Sequence, residues 1–368
     1  MTTARHLRPG ANDVAAALRR RHRKVWPLRR RGADLGFAVP ITREAPSVDQ
    51  ATRTWRDAEP VFLPGMLGHA PARHTAAIER TLRMFDRLRQ GAPLLAEFEQ
   101  RIGSDPDLCY SGSTEGCPPD GDTREIERVF VEAVPGGHRV AKDLWAMLAW
   151  LANDESDLSL RIRFSNGADG LEQWMRATNL TAGWVDQFAA RAFPEAAAIL
   201  TCQPLRALLQ HLLARPYRLS ERIVYNNAPD GGAVFHHDAE PGQLGVVFSQ
   251  LEGHTAWLAI GKRRLADLLV RRGHLPKVRA AMAALDQGPE QELWRVLNRD
   301  AGFTAELAAR GALFVLRAGD CILLPSHSQD DVAWHSVLAL GPRASLAHSY
   351  GIFAREEDYP LDADPWLA

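Results

Sequence analysis

The sequence predicts an α+β protein with a jelly-roll-like barrel in its C-terminal part, a large helical N-terminal region and a helical insert within the barrel. Two observations carry this. From residue 218 onward, short apolar runs alternate with Gly/Pro turns, as in antiparallel barrels. Within that series one charged segment, about 262–310, changes to helical spacing.

Taken in order, residues 1–70 read as a basic, irregular arm. Arginines and one lysine crowd 19–24 and 29–31 against a single acid, Asp13. Such a run is usually solvated, and contact with a partner protein or nucleic acid is the other reading. The chain uses arginine over lysine almost everywhere, which weakens any special meaning. Residues 71–217 read as a mainly helical region packing on the barrel. It has a helix over about 73–101, a Gly/Ser/Pro/Asp-rich surface loop over 103–122, and a helix carrying Val140, Leu144, Met147, Leu148 and Leu151. Pro204 suits a first helical turn, the leucines at 205, 208, 209, 212 and 213 follow, and Pro216 closes that helix. Trp145, Trp150, Trp174 and Trp184 are expected in the core. Residues 218–355 supply the barrel, with strands expected over 222–225, 233–236, 244–251, 254–260, 313–316, 320–324, 334–340 and 344–353. Residues 356–368 are a tail.

Composition excludes several classes. Of 368 residues, 46% are hydrophobic and 24% charged, ordinary for a globular chain, and a net charge of -1 argues against nucleic acid. Four scattered cysteines make no disulfide framework or zinc site, although Cys109 and Cys117 share one loop. No apolar run reaches the roughly 18 residues of a membrane span, and the N-terminus lacks the apolar core of a secretory signal. The expectation is a cytoplasmic protein with no membrane partner.

Chemistry concentrates in Tyr225-Asn-Asn-Ala-Pro-Asp-Gly-Gly-Ala-Val-Phe-His-His-Asp238 and in Trp334-His335 followed by Arg343-Ala-Ser345. Side chains two apart on a strand point the same way, so His236 pairs with Asp238, and Arg343 with Ser345. Two imidazoles and a carboxylate that leave positions open suit Fe(II). An arginine beside a hydroxyl forms a fork for a ligand carboxylate. His327 is a rival third ligand, but it falls in a polar loop. His335 opens an apolar run, where an imidazole must find a partner for its nitrogens.

In that order, His-x-Asp, a later His and Arg-x-Ser, the chain resembles the Fe(II)- and 2-oxoglutarate-dependent oxygenase superfamily, with its cupin-like, JmjC-like double-stranded β-helix. The resemblance covers about 218–355; residues 1–217 match nothing recognisable. Gly319-Asp-Cys-Ile-Leu-Leu-Pro325 is similar to the lead-in to the distal histidine of that superfamily. The resemblance implies Fe(II) on His236, Asp238 and His335. It implies 2-oxoglutarate with its far carboxylate on Arg343 and Ser345, and O2 as second co-substrate. Tyr225 and Asn227 look like a swapped form of the Asn-x-Tyr pair that binds the co-substrate in the nucleic-acid-dealkylating branch. Gln250-Leu-Glu-Gly253 resembles the JmjC hairpin, but Thr255 stands where that branch has its lysine anchor. Asp238, which related halogenases replace with a small residue, points to a hydroxylase or another oxidation such as desaturation. The expected substrate is a small molecule (an amino acid or natural-product intermediate), with a peptide side chain second. The alternatives are a cupin-type metalloenzyme that does not use 2-oxoglutarate, and a non-catalytic barrel binding module.

Overall fold

The computed structural model describes residues 25–30, 33–40, 44–116, 123–151, 157–167, 179–238, 242–288 and 290–355. The basic run 19–24, Cys117 with its expected pairing, Trp174 and the tail 356–368 lie outside the described residues. Every described strand pairing is antiparallel. A nine-stranded sheet has the order β3-β12-β9-β14-β8-β7-β6-β5-β4, a three-stranded sheet runs β11-β10-β13, and β1 (Val25–Arg30) pairs with β2 (Ala33–Pro40). In the large sheet, β3 is Val61–Leu63, β4 Leu108–Glu115, β5 Thr123–Ala133, β6 Ala141–Leu151, β7 Leu160–Asn166 and β8 Tyr217–Asn227. β9 is Gln243–Glu252, β12 Cys321–Pro325 and β14 Ser345–Ala354. The small sheet comprises β10 (His254–Gly261), β11 (Leu313–Arg317) and β13 (Ala333–Leu340).

Helices cover one face of the large sheet. They are α1 (Val48–Arg56), α2 (Ala70–Arg73), α3 (Thr75–Arg89), α4 (Leu94–Ile102), α5 (Asn179–Ala192), α6 (Ala197–Leu200) and α7 (Gln203–Leu213). α1 starts at a reciprocal cap: Gln50 N donates to Ser47 Oγ, and Ser47 N donates to Gln50 Oε1. The core between helices and sheet joins Phe85, Phe98, Phe188 and Leu209 to Ile162, Phe164, Val224 and Ile352. The large sheet's other face meets the small sheet through Val246, Phe248, Trp257, Leu316, Ile322 and Val337. Alternation along β9 serves both layers, since Val247 faces the helices while Val246 and Phe248 face inward. Four further helices, α8 (Lys262–Arg271), α9 (Val278–Asp286), α10 (Gln291–Arg299) and α11 (Ala301–Ala309), join β10 to β11. Their apolar faces close over Leu258, Ile260 and Trp334.

Several expectations need correction. Residues 141–151 are a strand, not a helix. All of 144–149 is buried because both faces of β6 are covered, and a continuous apolar run does not distinguish strand from buried helix. The region 71–217 is therefore not mainly helical but mixed, with four strands that extend the sheet of the barrel region. The loop expected over 103–122 contains β4, an exposed edge strand of polar residues. Residues 1–70 are not uniformly irregular, since β1, β2, α1 and β3 fall there. The run over 73–101 is two helices, α3 and α4, parted at Gly91-Ala-Pro93. Trp145 and Trp184 are buried, and Trp150 packs partly buried against the same core. Among the described residues no helix is long and apolar enough to cross a membrane.

Candidate metal centre

After β8 the chain turns at Asp230 (φ 59°) and runs along β13 without forming a full strand. Ala339 N donates to Gly231 O (2.8 Å) and Val337 N to Ala233 O (3.0 Å). Gly232, at φ 147°, lies so close that any side chain would overlap the Val337 carbonyl. Only glycine allows this approach. The run ends with His236 and His335 exchanging both backbone hydrogen bonds, 3.0 and 2.8 Å. Such a pair faces side chain to side chain across the ladder, and the two rings stand 4.2 Å apart.

Asp238 completes the group. Its Oδ1 lies 3.6 Å from His236 Nε2 and its Oδ2 3.6 Å from His335 Nε2. One ligand atom from each of the three residues lies within 4.8 Å of the others. At 3.6 Å these contacts are too long for hydrogen bonds, so three donors converge without satisfying one another. His236 Nδ1 sits 2.8 Å from Val234 O, the contact that fixes the tautomer with Nε2 presenting its lone pair. His335 is 4% exposed, with Trp257 stacked on its ring at 5.3 Å and 20°. Trp257 Nε1 in turn donates to Thr255 Oγ1, and Thr255 to Gln250 Oε1.

Burial, and then the neighbouring His236, push His335 down to about 3. Burial pushes the Asp238 carboxyl up, but the imidazoles of His335 and His236 outweigh it and hold it below the usual range. A neutral imidazole beside an ionised carboxylate is the protonation state a metal needs. It also makes stability depend on pH. The unfolded imidazole takes up a proton near 6.5, the folded one only near 3. The unfolded state therefore binds more protons between these values. His335's contribution is intact above about 6.5 and is lost as pH falls towards 3, at up to about 1.4 kcal/mol per pH unit. Urea unfolding of the metal-free protein across this range is expected to show that slope, and His335→Asn to flatten it. An unchanged slope in the variant would place the acid sensitivity elsewhere.

The three ligand candidates open on a cavity of about 380 Å³ between the sheets, lined also by Tyr225, Asn227, Phe248, Trp257, Val337 and Ser349. Tyr225 and Asn227 thus reach the site; Asn227 Oδ1 is buried without a hydrogen-bond partner among the described residues. His237 also lines the cavity, with its ring 5.1 Å from Trp334, and burial pushes its pKa down. His327 is elsewhere, its Nε2 2.7 Å from the Trp55 carbonyl oxygen.

Arg343 and Ser345 do not join the group. Arg343 is exposed in the turn between β13 and β14, and neither residue lines the cavity. Ser345 is buried beneath the Glu252–Gly253 turn, where a Gly253 side chain would lie 3.0 Å from Ser345 Cβ. Position 343, one pleat earlier, is already beyond that turn and in solvent. Thr255 is fully buried and engaged within the protein, so it is no ligand anchor either. The sequence reading missed Arg161 and Arg163 of β7, which both line the cavity. Their signal was available: Leu160-Arg-Ile-Arg-Phe164 alternates, with the apolar positions in the helix-side core and the arginines on the other face.

No family model matches the sequence, and no curated protein matches it. The chain is similar to several solved structures. One is SnoN, described as a non-heme alpha ketoglutarate dependent epimerase from nogalamycin biosynthesis (14% identity, 83% of each chain covered, TM-score 0.34). Another is an oxidoreductase of the 2OG-Fe(II) oxygenase family from Burkholderia pseudomallei (11% identity, 85% of this chain and 93% of that one, TM-score 0.33). A third is HygX from Streptomyces hygroscopicus with nickel, 2-oxoglutarate and hygromycin B bound (15% identity, 44% and 65% covered, TM-score 0.26). At such low identities and TM-scores the likeness transfers neither fold nor activity.

Proposed function

We propose that the chain is an Fe(II)- and 2-oxoglutarate-dependent oxygenase acting on a small molecule in the cytoplasm, by hydroxylation or a related oxidation. The observation that carries the reading is the convergence of His236, Asp238 and His335 within 4.8 Å at the mouth of a cavity between two sheets. Fold order supports it. From β8 the chain visits the two sheets in the order large, small, large, small, small, large, small, large, through β8, the 231–236 run, β9, β10, β11, β12, β13 and β14. This order supports reading 218–355 as a double-stranded β-helix with 262–310 as its insert.

The donor set fits a ferrous ion: two imidazole nitrogens and one carboxylate, with the remaining positions facing the cavity. When bound, iron and 2-oxoglutarate would supply the activation of oxygen for oxidising the substrate. His236, Asp238 and His335 would hold the metal by one face. Asp238 keeps a negative charge against the cation, and Trp257 holds the His335 ring in orientation. Val246, Phe248 and Val337 keep water from the inner wall, and Tyr225 and Asn227 offer polar contacts to bound acid or substrate.

One observation favours a second reading, a cupin-type metalloenzyme that does not use 2-oxoglutarate. Arg343, the residue expected to distinguish the two, stands in solvent. Anaerobic Fe(II) titration with and without 2-oxoglutarate, followed by the weak visible charge-transfer band, separates them. A band requiring both components is expected. Iron binding that 2-oxoglutarate leaves unaltered would establish the second reading, and no iron binding would remove both.

A further inference from the structure

The far carboxylate of 2-oxoglutarate needs a cationic partner inside the cavity. Among the described residues lining it there is no lysine, and the arginines are Arg161 and Arg163. Both lie on β7, beyond the β8-to-β14 strand set. β7 pairs with β8, placing Arg161 opposite Tyr225 and Arg163 opposite Ile223. β8 pairs with β14, placing Ile223 opposite Ser349. Arg163, Ile223 and Ser349 thus form one row across three strands, with an arginine and a hydroxyl, both lining the cavity, on either side of an aliphatic side chain.

The two arginines differ in the rows they belong to. Arg161 stands opposite Tyr225, whose partner on β14 is Ala347, so its row carries no small hydroxyl beside the arginine. Arg163 is two residues further along, about 7 Å at the rise of a strand. A five-carbon oxo diacid that chelates through its keto acid end carries its second carboxylate three carbon–carbon bonds beyond the chelate. A carboxylate at that reach can be shared by an arginine and a hydroxyl of one row, which selects Arg163 with Ser349. Each arginine already has a contact within the protein, so an arriving carboxylate adds to or displaces one.

Resting on the oxygenase reading above, we propose that Arg163, with Ser349, holds the far carboxylate of the 2-oxo acid co-substrate, and that Arg343 takes no part. The anchor comes from a strand appended to the barrel. The site therefore selects 2-oxo dicarboxylates over 2-oxo monocarboxylates through β7.

The test is equilibrium binding, by calorimetry on the Mn(II)-loaded protein without oxygen, of 2-oxoglutarate and of 2-oxobutyrate, which lacks the far carboxylate. Arg163→Gln is expected to weaken 2-oxoglutarate by about 30-fold, the scale of a lost charged hydrogen bond, and to change 2-oxobutyrate by less than about 3-fold. Arg163→Lys, which keeps the charge but not the planar fork, is expected to fall between. Arg343→Gln is expected to match wild type for both acids. Unchanged 2-oxoglutarate binding in Arg163→Gln, equal weakening of both acids, or weakening by Arg343→Gln overturns the assignment. If Arg163→Gln does not fold, Arg163→Lys decides, since equal affinity with wild type for both acids overturns it. Failure of the underlying reading shows itself separately, as wild-type protein that binds Mn(II) but neither acid, or no Mn(II), and the assignment falls with it.

Discussion

Asp238→Ala is expected to lower metal affinity by at least about 100-fold and to abolish turnover coupled to 2-oxoglutarate. Altering groups that merely orient a ligand costs about 10- to 100-fold, and Asp238 faces both imidazoles directly, 3.6 Å from each Nε2. It also supplies the only negative charge in the triad, so its loss leaves a divalent ion facing two neutral donors. His335→Ala should behave alike, losing a donor and opening a gap beneath Trp257. His327→Ala should retain metal affinity within about 2-fold, because its ring is tied to the Trp55 carbonyl oxygen and edge-on to the Trp55 indole. Calorimetric titration of Mn(II) or Fe(II) into the three variants reads this. A strong loss in His327→Ala with His335→Ala near wild type would reverse the ligand assignment.

Phe98→Ala is expected to cost about 3–5 kcal/mol of stability, among the largest effects of any single core truncation. Phe98 is fully buried on α4. Its ring contacts Phe164 of β7, Phe188 of α5 and Phe193, at centroid distances of 6.1, 5.7 and 6.4 Å. Three elements meet on one side chain, so relaxation of any one of them cannot close the hole. The midpoint of urea unfolding should fall while the slope is retained. A cost below about 1 kcal/mol would show that the helices rearrange around the gap. Phe164 alternates on β7 with the cavity-facing arginines, so the same variant tests how firmly the cavity's outer wall is backed.

The C-terminal part of the chain was legible because its chemistry and its backbone obey the same period. His236-x-Asp238 and Gly253 carry their meaning in local alternation and in a turn that demands positive φ, which is 75° at Gly253. His335 stood out because an imidazole opening an apolar run needs a partner. Residues 71–217 were less legible. β6 is covered on both faces, which erases the two-residue period, and β4 sits on an exposed edge where polar residues look like loop. Arg343-x-Ser345 stands apart from the cavity for a different reason. The spacing is that of a fork, but nothing local encodes whether a strand starts before or after its neighbouring turn. Here the burial of Ser345 under Gly253 leaves the guanidinium outside. The arginines that do line the cavity alternate visibly with apolar residues, but their strand joins β8 only through tertiary pairing, which no short-range pattern announces.

Two of the three candidate ligands are backbone partners, although almost a hundred residues and four helices separate them along the chain. The distance between their rings is therefore imposed by the ladder, before any ion arrives. Closing so long a loop is slow, and the pairing of β10 with β13 shortens it. A folding chain would thus complete the three-residue group late. A chain lacking β13 would present His236 and Asp238 without the third ligand candidate.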